Sequence, residues 1–76
     1  MARIDLSERF GEVLRRLRVE AGLTQEELAH RAEVTRNYIG MLESGQSNPT
    51  LNTMAMLAAA LSTTVTKLVS AVERHA

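Results

Sequence analysis

Two helix-start signals stand close together in the middle of this chain, and they constrain the fold more than any other feature. Thr24-Gln25-Glu26-Glu27 reads as a capping box: the threonine hydroxyl accepts the Glu27 amide, and the Glu27 carboxylate reaches back to the Thr24 amide. A short periodic stretch follows through Leu28, Ala29 and Ala32. Thr35 is a second cap, and its helix carries Tyr38, Ile39 and Leu42 before Gly45 stops it. Helices this short, joined by so tight a turn, must cross steeply. Ala29 supplies the small residue needed where they touch. Ile39 and Leu42 face back to lock the second helix onto the first, which leaves Thr35, Arg36, Asn37, Gly40 and Met41 pointing outward.

The rest of the chain continues the helical pattern. Leu6, Phe10, Val13, Leu14, Leu17 and Ala21 recur at threes and fours, with Asp5 or Ser7 as cap and Gly22 as stop. Gln46-Ser47-Asn48-Pro49 is a loop whose proline precedes the cap Thr50, where it breaks no helix. A fourth helix runs from Leu51 to about Leu61, Ser62-Thr63-Thr64 interrupts, and Val65, Leu68, Val69 and Val72 define a fifth. Nothing alternates as a strand. The expected organisation is one all-α domain over residues 1–76, with helices at about 6–21, 25–32, 36–44, 51–61 and 65–74.

Composition narrows the function. The 76 residues include no cysteine, and His30 and His75 are too few and too separated for an ordinary zinc site, so no metal or other cofactor is expected. His30 is expected at the surface and His75 mobile near the terminus. No apolar run approaches the roughly 18 residues of a membrane helix, and nothing resembles a secretion signal. The expected place is the cytoplasm (the nucleoid in a bacterium), with no membrane partner. No nucleophile and base accompany a pocket, so no enzyme is expected. Nine basic and nine acidic residues give a formal net charge of zero. A nucleic-acid ligand would therefore require charges segregated onto faces. The basic set is Arg3, Arg9, Arg15, Arg16, Arg18, Arg31, Arg36 and Arg74 against the single Lys67; arginine suits bidentate contacts to phosphate and guanine, and equally protein ion pairs.

The outward row from Thr35 to Met41 is the geometry of a helix-turn-helix, whose second helix enters the major groove by its N-terminal end. Residues Leu23 to Leu61, with T-Q-E-E-L-A, Y-I-x-x-L-E-x-G and N-P-T-L in order, resemble the Cro/phage-repressor-like (XRE-type) helix-turn-helix domain. The compact size and Arg36-Asn37-Tyr38-Ile39 are similar to controller proteins of restriction–modification systems. The resemblance implies a compact five-helix, lambda-repressor-like fold. It places Gln25 on a DNA phosphate and Arg36 and Asn37 on base edges. Asparagine there could pair with adenine or hold a phosphate. Thr35 falls beside them, touching the backbone or a base. Met41 either meets a thymine methyl or packs on a neighbouring helix. Tyr38, Arg18, Ser47, Thr50 and Thr53 fall on backbone-contact positions. Capping alone is an alternative reading for Thr50, and a solvated or capping role for Thr53. Glu43 reads as a structural partner for Arg31 or Arg18.

Three departures from the family bear on function. Glu33 stands where the family usually has a turn glycine of positive φ. Met41, Ser44, Gln46 and Ser47 are neutral where many relatives are basic, which weakens single-protomer binding. The fourth helix is apolar nearly all round. With Leu51, Met54, Leu57, Ala58 and Leu61 inward, Met56, Ala59, Ala55 and Ala60 remain outward, and Val65, Val69 and Val72 extend the patch, a place in the protomer's core being the alternative for Val65 and Val69. A homodimer through helices four and five would cover it. The expected function is thus a transcriptional regulator, repressor or activator, that binds a palindromic double-stranded DNA operator as a homodimer and regulates itself. RNA polymerase is an open further partner. The alternative is a protein-interaction module, antitoxin-like or coactivator-like.

Overall fold

The computed structural model describes residues 5–75, and Arg3 lies outside them. Five α-helices make up the described chain: α1 (Leu6–Glu20), α2 (Gln25–Ala32), α3 (Arg36–Glu43), α4 (Leu51–Ala60) and α5 (Val65–Arg74). Each begins at an oxygen-bearing cap. Asp5 accepts the amides of Ser7 and Glu8, and Thr24, Thr35, Thr50 and Thr64 each accept the amide three residues on. The reciprocal Glu27 to Thr24 bond of the capping box is present at 2.9 Å. Both Thr24 contacts, the bond from its backbone amide before the one from its hydroxyl, hold the exposed Glu27 carboxyl below the usual carboxylate range.

The first four helices stop in the same way. A residue at the cap (Glu33) or just after it (Gly22, Gly45, Ser62) turns left-handed, and two crossed amides close the last turn. The pairs of bonds are Gly22 to Val19 with Leu23 to Arg18, Glu33 to His30 with Val34 to Ala29, Gly45 to Leu42 with Gln46 to Met41, and Ser62 to Ala59 with Thr63 to Ala58. Gly22 and Gly45 adopt the positive φ freely. Glu33 (φ 59°) and Ser62 (φ 57°) adopt it with a Cβ in place. The turn at Glu33 keeps the shape a glycine would give it.

Packing follows the short connections. α1 lies on α3 and α5, α2 on α3 and α4, and α4 on α5. Val13, Leu14, Leu28, Ile39, Leu42 and Leu57 are completely buried at the centre, and the described core contains no buried polar residue. Ala29 is buried at the α2–α3 crossing as expected. The α1–α3 contact depends on a residue the spacing did not flag. A Cβ on Gly11 would stand 2.5 Å from the Leu42 carbonyl oxygen and 2.6 Å from that of Glu43. Only a glycine lets these backbones approach so closely.

Several sequence expectations need correction. Leu6 and Ala21 are exposed, so α1's inward stripe is shorter than its apolar series. Leu51 is 70% exposed, because α4's first turn projects beyond the core. Val72 is 6% exposed: with Leu68, one turn earlier, it docks α5 onto α1, and so it belongs to the protomer's own core rather than to an outer patch. His75 is not free. Its ring contacts the Glu12 carboxylate and ties the end of α5 to α1.

Two substitutions test these local arguments. Gly11→Ala should cost about 1–3 kcal/mol, since backbone must move to admit the methyl group; a melting temperature equal to the parent's would contradict the close approach. Glu33→Gly should leave stability unchanged or raise it by up to about 1 kcal/mol, and a clear drop in melting temperature would show that the left-handed turn carries no strain.

Candidate nucleic-acid interface

The outward side of α3 is built by the burial of its other side. Ile39 and Leu42 are fully buried, which turns Thr35, Arg36 and Asn37 to solvent and leaves Gly40 and Met41 half-buried at the edge. A shallow groove runs along this side, lined by Gln25, Arg36, Asn37, Gly40, Met41 and Gln46. Of the expected base-reading residues, Arg36, Asn37 and Met41 share this groove, and Thr35 is exposed at the cap just before the helix without lining it. Arg36 forms no ion pair among the described residues. Asn37 Nδ2 donates weakly to Met41 Sδ at 3.7 Å. This turns the Met41 thioether along the surface and leaves the Asn37 carbonyl oxygen free to accept. A Cβ on Gly40 would meet nothing within 4 Å, so the notch there is not demanded by packing.

The flanking hydroxyls have mixed duties. Thr35 Oγ1 accepts the Tyr38 amide at 3.1 Å and keeps its proton to donate. Tyr38 is half-buried against the core. Thr50 Oγ1 accepts the Thr53 amide at 3.0 Å and donates to Thr53 Oγ1 at 2.9 Å, which leaves the Thr53 hydroxyl proton free. Ser47 is half-buried in the α3–α4 loop. That loop is tied to the start of α1 through the Ser7 hydroxyl and the Asn48 side chain.

Glu43 organises the adjoining surface, where the ends of α1 and α3 meet the start of α2. Its carboxylate takes Arg18 Nε at 2.6 Å and Nη2 at 3.1 Å, while Arg18 Nη1 donates to the Leu23 carbonyl at 2.8 Å. Gln25 Nε2 donates to the same carboxylate at 3.1 Å. The side chains of Arg18 and Glu43 are only 12% and 5% exposed. Of the two arginines considered for Glu43, the partner is Arg18. Each of its three nitrogens donates into the protein, which leaves the second hydrogens of Nη1 and Nη2 as all that Arg18 has to offer a DNA phosphate. Gln25 has one amide hydrogen on Glu43 and a second to offer outward at the start of α2, where free amides favour an anion.

The proposed dimer patch is partly present. Met56, Ala55, Ala59 and Val69 are exposed on the outer sides of α4 and α5, at 37% for Met56 and 36% for Val69. Val72, as described above, is not among them, and Ala60 and Val65 pack against the core instead. No single helix among the described residues is long and apolar enough to cross a membrane.

A recognition helix held by its apolar back, with polar side chains along a groove, defines a small DNA-binding helix-turn-helix domain. Residues 14–68 match the model of the helix-turn-helix family HTH_3, and the chain belongs to that family. It is 40% identical over 67 residues to an uncharacterised HTH-type transcriptional regulator, y4dJ, of Sinorhizobium fredii, covering 88% of this chain and 87% of the relative. It is also 40% identical over 67 residues to the control protein C.SmaI of Serratia marcescens, covering 88% and 80%. The crystal structure of the restriction–modification controller protein C.AhdI from Aeromonas hydrophila superposes with a TM-score of 0.79 at 42% identity, covering 84% of this chain and 96% of that one.

Truncating the organising carboxylate tests its place in the site. Glu43→Ala strands a buried guanidinium and should cost about 3–5 kcal/mol in urea denaturation. Joint replacement of Arg18→Met and Glu43→Leu should recover most of that loss. A cost near zero for the single variant would mean that the pair is solvated and structurally idle.

Proposed function

We propose that this protein is a transcriptional regulator that reads a palindromic operator in double-stranded DNA through Thr35–Met41, as a homodimer, and controls its own expression. The observation that carries the reading is Arg36: it stands exposed at the start of a helix whose opposite face is fully buried, and it forms no ion pair among the described residues. Its guanidinium can hold guanine O6 and N7 together, a contact worth about 1–3 kcal/mol of discrimination. Asn37 offers its amide to an adjacent base, and Met41 an apolar surface to a thymine methyl. Thr35, Tyr38, Ser47, Thr50 and Thr53 flank the groove as backbone contacts, and Gln25 meets a phosphate at the start of α2.

Affinity requires two protomers. With a formal net charge of zero, one domain neutralises few phosphates. A second copy seated on Met56, Ala55, Ala59 and Val69 would cover the apolar outer side of α4 and α5. It would set two recognition helices about 34 Å apart, one turn of DNA. A dimer that assembles weakly responds steeply to its own concentration, which suits the autoregulation proposed. Such a protein works in the cytoplasm, on the nucleoid where the host is bacterial. Activation would add a contact to RNA polymerase. The relatives are an HTH-type transcriptional regulator and a control protein, and a role limited to protein interaction is not favoured.

Selection from a random duplex library tests the reading. Wild type should enrich a palindromic motif, and Arg36→Ala should lose it or relax it at one position per half-site. Sedimentation should show a concentration-dependent dimer that Met56→Glu weakens. A folded wild type that enriches no sequence at low salt would refute operator recognition, and an 8.4 kDa species alone at micromolar concentration would refute the dimer.

A further inference from the structure

We propose that Arg15 is an α1 side chain that contacts a DNA phosphate, extending the interface from α3 across to the first helix. The inference rests on the DNA-binding reading above and adds a residue to it. Position comes first. Gly11, Arg15 and Arg18 follow one another at four and three residues along α1, so they share the side that faces α3. Gly11 is pressed against the carbonyls of Leu42 and Glu43. Arg15, one turn on, is exposed and lines a second shallow groove with Gln25, Gly40 and Ser44, residues that also line the groove of the recognition helix. The two grooves therefore adjoin at Gln25.

Charge comes second. Arg18 also lines the second groove, but Glu43 offsets its charge at 2.6 Å. Arg15 forms no ion pair among the described residues. It is the uncompensated cation of that groove, three residues before the engaged arginine and beside the amide hydrogen that Gln25 holds outward. A backbone phosphate seated at the start of α2 would meet Gln25 and Arg15 together. Arg16, the next residue, is a built-in comparison. It points away, lines a different groove with Ala71, Arg74 and His75, and reaches toward Glu20 at 3.9 Å.

The test is the salt dependence of binding to two duplexes, one carrying the selected motif and one of unrelated sequence. Arg15→Ala should weaken both by a similar factor and reduce the slope of log K against log salt by about 0.9 per protomer. Arg15→Lys should restore the slope, since a phosphate accepts any point charge. Arg16→Ala should leave it unchanged. An unchanged slope in Arg15→Ala, or an equal fall in Arg16→Ala, would overturn the assignment while leaving DNA binding intact. Failure of wild type to bind either duplex at low salt would overturn the functional reading itself, and this inference with it.

Discussion

The Arg18–Glu43 ion pair is the interaction on which the geometry of the surface depends. It joins the end of α1 to the end of α3, reaches the α1–α2 turn through the Leu23 carbonyl, and holds Gln25 at the start of α2. Burial of two charges is costly, several kcal/mol per ion, and the mutual attraction offsets this only when geometry is good and the remaining donors are satisfied. Both conditions are met here: the contact is bidentate and the third arginine nitrogen has its own acceptor. The consequence is positional. Helices with so few residues have little apolar surface with which to set their angle, and a directional polar contact among three of them removes the remaining freedom.

The same pair decides the electrostatics. It takes one arginine and one glutamate out of the field seen by a ligand. Among the described residues that line the two grooves, the cations left without an ion pair are Arg36 and Arg15, with Gln25, Asn37 and Ser44 beside them. Such a surface discriminates by hydrogen-bond pattern more than it attracts by charge. A protein of this kind gains affinity by doubling its contacts, and the exposed apolar side of α4 and α5 offers a surface for a second copy. Recognition and assembly are then linked through the core: Leu57 and Ala58 fill the inner side of α4 and stay buried, while Met56 and Ala59 lie outside.

Much of the fold was legible because its signals are local. Threonine caps, the capping box and the glycine stops act within one turn of chain, so Thr24, Thr35, Thr50, Gly22 and Gly45 could be read directly. The outward row of α3 was legible too, because Ile39 and Leu42 determine its opposite side. Features that depend on a distant partner were not. The need for glycine at position 11 arises from the carbonyls of α3. The engagement of Arg18 could be suspected from Glu43 but not distinguished from a DNA contact. Periodicity gave no phase for α4, which is apolar on every side, so Leu51 was assigned inward. Val72 was assigned outward for a related reason: three valines and one leucine on α5 admit more than one buried face until α1 is placed against them. His75 finds Glu12 only once α5 has returned to α1.

The central claim is that α3, held by the Glu43 network, is the surface that meets duplex DNA. Titration of the isotopically labelled protein with the selected duplex, followed by amide and side-chain NMR shifts, tests it most directly. The largest changes should fall at Thr35–Met41 and at the Gln25 side-chain amide, with the core of α5 around Leu68 unmoved. Shifts confined to the outer sides of α4 and α5, with α3 silent, would contradict it and make those helices the binding surface instead.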